Sequence, residues 1–557
     1  MKMSCVWILG LVSATASAQT TVHKHYEKSE AADKPAPTGE LAPRLQNLGK
    51  HTFPVTTKSK QAQRFVSQGV NLAYGFNHAE AGRAFREAAR LDPACAMAYW
   101  GQALVLGPNI NVPMTPDDEP KAYEAAQKAV SLKSKASVRE RAFIDAVAQR
   151  YSGKKEDRAA RDRAYADAMA GLVRRFPNDL DAATMYAEAL MDLRPWNYWM
   201  RDGRPYPETA EIIDQLEKVL ARNPGHPGAN HYYIHAMEAT KTPEKAEAAA
   251  DRLLKLMPGA GHMVHMPSHI YQRVGRYADA VASNEAAVQA DEDYITQCRA
   301  QGLYPMAYYP HNIHFLWFAA TAEGRSQTAV DSARKVTSKV TDEMLDELPL
   351  LAAFRVVHWY ALTRFGKWDE MLKEPAPADR FLFLKGTWHY SHGLALLGQG
   401  KIEEAEKDLA ELRRIAADPG LNYTLFSPNT AAAILAIAPE VLAGEILARR
   451  KDYDKAIGHL ERAVRLDDGL VYTEPAEWHY PPRQALAAVL LEAGRAKEAE
   501  TVYWDDLRRN PDNGWSLFGL TLALRAQGDR GDEVAVAQAR FEKAWARADV
   551  KLQASRF

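Results

Sequence analysis

Residues 69–93 read GVNLAYGFNHAEAGRAFREAARLDP, and this stretch decides the architecture. Within it Gly69, Leu72, Ala81, Phe85, Ala88 and Pro93 stand at the offsets of a helix-turn-helix unit. A small residue at 69 lets two helices cross closely, Ala81 falls where they touch, and Pro93 ends the second helix because it has no backbone N–H to give. The offsets return as Gly275, Tyr277, Ala280 and Ala287; as Gly393, Gly400, Ala405 and Leu409; as Gly444, Tyr453, Ala456, Leu460 and Ala463; and as Gly494, Ala499 and Pro511. Degenerate versions fill residues 99–131, 143–177, 182–224, 230–258, 313–336 and 352–372. Strand-type alternation is absent, so an almost wholly α-helical chain is expected.

These recurrences resemble the tetratricopeptide repeat family, and the likeness covers nearly all of residues 61–548. It implies an all-α solenoid of helix-turn-helix repeats wound as a right-handed superhelix, whose first helices line a concave, ligand-binding face. A solenoid also accommodates the length of 557 residues. Each repeat buries its apolar face against its neighbours, so no single core has to grow with the chain.

The chain opens in the manner of a bacterial-type secretory signal, with Met1 and Lys2, an apolar run over residues 5–12, and Ala16-Ser17-Ala18 ahead of Gln19. Residues 1–18 are expected to be removed near Ala18, which makes the protein exported, either periplasmic or secreted. Residues 19–57 are polar, hold Pro35, Pro37, Pro43 and Pro54, and read as a flexible lead-in to a solenoid over 58–557; His23, His25 and His51 read there as surface residues. No later segment supplies the ~20 uninterrupted apolar residues of a membrane span. A formal charge of -1 argues against nucleic acid as a partner. Without the signal the cysteines are Cys95 and Cys298, too few for a disulfide framework, and whether they pair stays open.

Joins near 107–120, 194–207, 291–310 and 470–482 are longer than tight turns and rich in proline and aromatic residues. Such loops on a rigid scaffold are where lids and substrate walls are built.

Between His231 and His314 fall seven of the seventeen histidines. His231 to His265 and His235 to His269 are both separated by 34 residues; His262 to His311 and His265 to His314 are both separated by 49. His231, His235 and Glu238 lie at i, i+4 and i+7, and His262, His265 and His269 at i, i+3 and i+7, so each trio forms one stripe of its helix. His311 and His314 do the same. By the resemblance all belong to first helices facing one groove, at the ~10 Å separation of packed helices. An offset of 47 residues carried back from His235 lands on Glu188, with Asp192 one turn further.

Imidazole and carboxylate donors without thiolate suit Cu, Fe, Zn or Mn. The expected metal ligands are His231, His235, His265, His269 and His314, holding one or two transition-metal ions. His262, Glu238 and His311 are expected to act in acid–base steps. Arg194, Trp196, Tyr304, Tyr308, Glu188 and Asp192 are expected to contact substrate. A zincin is excluded because Tyr232 stands where the general-base Glu of His-x3-His sites belongs. The Glu-x-x-His order of ferritin-like sites is reversed in His235 and Glu238. Oxidation at Cu or Fe is placed slightly ahead of hydrolysis at Zn. The alternatives are a scaffold docking a peptide or protein partner, and a metal-capture protein. Met237, Met263 and Met266 read as core, and His358, His389 and His392 as packing residues.

Overall fold

The computed structural model describes residues 39–154, 158–200, 202–298, 304–426, 428–528 and 530–557. The expected signal peptide lies outside these residues, as do His23 and His25. Among the described residues the fold is all-α, a succession of helix hairpins; the strand-like pairings are three isolated bridges in loops. The described residues form two compact units, one from residues 39–270 and 285–309, the other from 271–284 and 310–557.

The first unit runs α1 (Lys60–Tyr74), α2 (His78–Leu91), α3 (Ala96–Leu106), α4 (Glu119–Ser131), α5 (Val138–Gln149), α6 (Arg158–Arg175), α7 (Leu180–Met191), α8 (Pro207–Arg222), α9 (Pro227–Met237), α10 (Glu247–Leu256) and α11 (Gly261–His265). Several starts are written in the sequence. Ser59 accepts from Ala62 N at α1, Ser137 and Glu140 form a capping box at α5, and Asp179 accepts from Ala182 N at α7. Pro207 and Pro227 occupy the first turns of α8 and α9, where a missing N–H costs nothing. The small residue at 69 does what its place in the repeat requires. A Cβ there would lie 2.7 Å from the Phe85 ring, and one on Gly101 would lie 2.3 Å from it, so Phe85 fills a slot between α1 and α3.

Residues 39–57 depart from the expected loose lead-in. Phe53 is fully buried, stacked on Trp100 at 5.4 Å and edge-on to Phe143 at 5.6 Å. Leu41 N, Leu45 N, Phe53 N and Val55 N donate to side chains of Glu87, Gln68, Ser67 and Gln63. Prolines suggested mobility, but side-chain acceptors on α1 and α2 tie the backbone down along its length.

Helix α12 (Pro267–Arg273) and α13 (Tyr277–Cys298) follow. The join expected from residue 291 is therefore helical as far as Cys298. Cys95 and Cys298 are both buried and free. In the second unit α14 (Tyr309–Glu323) precedes the later hairpins, of which α15 (Ile437–Arg449) with α16 (Tyr453–Asp468), and α17 (Ala496–Arg509) with α18 (Gly514–Arg525), keep the same close crossings. A Cβ on Gly444 would lie 2.6 Å from Leu460, and one on Gly519 2.1 Å from Tyr503. Residues 431–449 are long and apolar enough by composition to cross a membrane, but most of the stretch is buried in the core, and Leu460 packs on it at Gly444.

Candidate metal centre

Helix α9 is buried along its whole length, so His231 and His235 face protein and not solvent. Helix α11 brings His262 and His265. The single stripe expected over residues 262–269 is interrupted, because Pro267 begins α12 and the backbone tightens, with His269 N donating to Met266 O at 3.2 Å. Even so, the break brings His265 Nε2 and His269 Nε2 to 2.9 Å from each other. Met237, Met263 and Met266 are buried core residues.

The ring orientations follow from the partners. His231 Nδ1 is 2.6 Å from the carbonyl oxygen of Tyr74, which can only accept, so Nδ1 carries the hydrogen and Nε2 presents a lone pair. That Nε2 stands 3.2 Å from His262 Nε2. His235 Nδ1 donates to Glu238 Oε1 at 3.3 Å, and its Nε2 has no hydrogen-bond partner. Donor atoms of His231, His235 and His262 lie within 4.8 Å of one another. The second oxygen of Glu238 is 2.8 Å from His269 Nδ1, so one carboxylate orients an imidazole in each of the two histidine groups. A carbonyl or carboxylate on the far ring nitrogen is the arrangement that presents histidine to a metal ion.

The charges agree with this geometry. Burial lowers the pKa of His231 well below its usual value, and His235 adds to the effect. Burial also lowers His235, outweighing the pull of Glu238. Burial works to raise Glu238, but His269 and His235 overcome it and hold the carboxyl at about 2. His231 and His235 are therefore neutral imidazoles near an ionised carboxylate, the protonation state that metal binding needs.

Aromatic rings surround it. Phe76, in the turn after α1, has φ 58 and places its ring 4.6 Å from His231, 5.9 Å from His235 and 5.6 Å from His262. Trp196 also has positive φ, 62, lies 5.2 Å edge-on to His235 and is 47% exposed. Two bulky residues held in the left-handed region beside one cluster store strain of the kind found at functional sites. Trp199 Nε1 donates to Ala236 O at 2.8 Å and pins this insertion to α9. Tyr308 approaches His262 edge-on at 5.0 Å, and its hydroxyl accepts from Asn111 Nδ2. Tyr304 accepts from His262 N and donates to Asp291 Oδ1 at 2.6 Å.

No protein-family model matches this chain. No curated protein matches it either. Among solved structures it is similar to the human IFIT1 dimer with m7Gppp-AAAA, at 12% identity over 89% of this chain and 91% of that one, with a TM-score of 0.30. It is also similar to the APC/C hetero-tetramer Cut9-Hcn1, at 11% identity over 88% and 76%, with a TM-score of 0.28. TM-scores this low assign neither fold nor function.

Other expected site residues have different surroundings. His314 lies flat on Trp317 at 5.1 Å and edge-on to Phe354, and burial lowers its pKa to about 3; rings, not donor atoms, face it. His311 meets Phe315 edge-on at 5.1 Å. For His314 the spacing of 49 residues from His265 did not produce a ligand's surroundings. Glu188 and Asp192, expected to meet substrate, are buried beside Arg150, whose Nη2 is 2.6 Å from Asp192 Oδ2. Arg194 lies over the Tyr206 ring at 4.1 Å. His358 pairs with Glu374, and His389 and His392 share Asp408 at 2.7 Å each, so polar partners hold them in addition to packing, His392 lying flat on Trp388 at 4.4 Å. Tyr74, Phe76 and His226 escaped the sequence reading. Tyr74 acts through its backbone carbonyl, which carries no signature, and Phe76 through a fold-dependent approach across 155 positions to His231.

Proposed function

We propose that this protein is an exported metalloenzyme in which His231, His235 and His262 hold a transition-metal ion. The observation that carries the reading is the pair of acceptors behind the ligands. Tyr74 O and Glu238 take the Nδ1 hydrogens of His231 and His235, leaving both Nε2 lone pairs beside His262 Nε2. Three imidazoles leave a coordination position for substrate. His269, beside the same Glu238, and His265, whose Nε2 stands 2.9 Å from His269 Nε2, supply the donors for a second ion. In this reading His262 is a ligand, and Glu238 orients ligands in place of the acid–base role expected from the sequence.

Copper or iron bound there supplies one-electron chemistry, and all-imidazole donors favour it slightly over hydrolysis at zinc. This chain's own residues do the rest. Phe76, Trp196 and Tyr308 exclude water from the ligands and offer flat apolar surfaces, which suits a planar aromatic substrate.

The test is elemental analysis of protein purified from the exported fraction without a histidine tag, beside a His231→Ala, His262→Ala double variant checked for helix content by circular dichroism. Near-stoichiometric Cu, Fe or Zn in the wild type and none in the folded variant is the expected result. Equal metal content in both, or no uptake by the wild type on reconstitution, sinks the reading.

A further inference from the structure

A second cluster lies in the same unit, on a groove of about 1590 Å³ that none of the expected site residues line. On its wall Asp181 Oδ1 receives three donors: Tyr74 OH at 2.8 Å, His51 Nε2 at 2.9 Å and His226 Nε2 at 3.3 Å. His51, Asp181 and His226 have metal-like proximity, but the tautomers rule that use out. His226 Nδ1 accepts from Ala229 N at 3.2 Å to cap α9, so its hydrogen is on Nε2 and no lone pair remains there for an ion. This is the reverse of His231, five residues later on the same helix.

The same logic defines His51. Its Nε2 donates to the carboxylate, and its Nδ1 makes no hydrogen bond among the described residues. The ring is partly exposed, with its side chain 14% accessible, and lines the groove. His51 is thus an acceptor, held at a fixed angle by a buried carboxylate. The Tyr74 and His226 rings, at 5.8 and 4.8 Å, fix its position from the sides.

The charges along the groove are unequal. Each carboxylate of the lining is already engaged. Glu140 takes hydrogen bonds from Thr56 and Ser137, Asp179 is paired with Arg139 at 2.5 Å, and Asp181 is saturated as above. Lys50, Arg175 and Lys255 line the same groove and have no carboxylate partner among the described residues. An acceptor nitrogen in one groove with unmatched cations calls for a ligand with a hydroxyl donor and a negative charge.

We propose that this groove is a second binding site, separate from the metal centre, for a small hydroxylated oxyanion. Its hydroxyl donates to His51 Nδ1, and its phosphate or carboxylate group is neutralised by Lys50, Arg175 and Lys255. Calorimetric titration of the full-length, metal-replete protein tests this in two arms. One compares glycerol 3-phosphate with propyl phosphate, the other glycerate with propionate. Saturable binding of at least one hydroxylated anion is expected, about tenfold tighter than its dehydroxylated counterpart, the scale of one hydrogen bond. The arm that binds identifies the anionic group. An Arg175→Ala, Lys255→Ala variant should weaken binding at least tenfold and flatten its salt dependence. His51→Phe, which keeps the ring contacts, should abolish the preference for the hydroxyl, while His231→Ala should leave binding intact. Binding by neither arm overturns the proposal. So does affinity unchanged in the double variant, a hydroxyl preference that survives His51→Phe, or loss of binding in His231→Ala, which would place the anion at the metal centre.

Discussion

Arg150 and His231 are both buried in the same unit, and each stands at the middle of a polar cluster. Around Arg150 opposite charges meet. The guanidinium faces Asp162 at 3.2 Å and Asp192 at 2.6 Å and lies 4.6 Å over the Tyr165 ring. Around His231 like meets like. Ring nitrogens stand 3.2 and 2.9 Å apart in two pairs, and the acceptors sit behind the rings. Burial makes polar groups expensive, so a cluster that completes itself is architecture. One that gathers several acceptors at a single place asks for an electrophile from outside. The difference between the clusters is therefore one of completion, not of polarity or depth.

Removing the hub should separate them most sharply. Arg150→Ala leaves Glu188 and Asp192 buried without their cation and is expected to cost about 3–5 kcal/mol, read from the urea midpoint of the first unit's unfolding. Next in size is Glu238→Gln, which keeps the shape but removes the anion behind His235 and His269. Metal affinity should fall about 10- to 100-fold by competition with a chelator, with secondary structure unchanged.

A third test uses pH on the completed cluster. Burial raises the Glu188 carboxyl from 4.5 to about 7, with Arg150 opposing. The folded protein then keeps a proton that the unfolded chain sheds, so this group's contribution is full below pH 4.5 and is lost as the pH rises toward 7. Wild-type stability should fall across that window by up to about 1.4 kcal/mol per pH unit relative to Glu188→Gln, which has no proton to lose. Equal slopes in the two proteins would show that Glu188 is ionised throughout. The smallest effect is expected at the rim. Trp196→Ala should change stability by less than about 1 kcal/mol yet speed metal loss to a chelator, because the exposed ring lies over His235.

Much of the architecture was legible in local pattern. Gly69 and Phe85 announced a close crossing, and the structure fills that gap with the Phe85 ring. The histidines of α9, α11 and α12 were legible as a group because helical periodicity converts sequence spacing into a shared face. The reading failed where residues act at long range. His51 looked like a surface residue in a proline-rich lead-in, until the chain brought Asp181 to it across 130 positions. His314 kept the spacing of a ligand but fell among Trp317 and Phe354, because side-chain surroundings are set by whatever packs opposite.

The sequence alone determined that the chain is helical, that its hairpins recur, and that imidazole is concentrated on α9, α11 and α12. These are consequences of periodicity and of residue size at crossings, both local properties. Which imidazole nitrogen carries its hydrogen was decided only by the tertiary structure, through a backbone carbonyl behind His231 and a backbone N–H in front of His226. That choice separates a ring that presents a lone pair from a ring that presents a donor. It depends on which backbone or side-chain groups the fold brings within 3.5 Å of each ring, and no spacing in the chain encodes it.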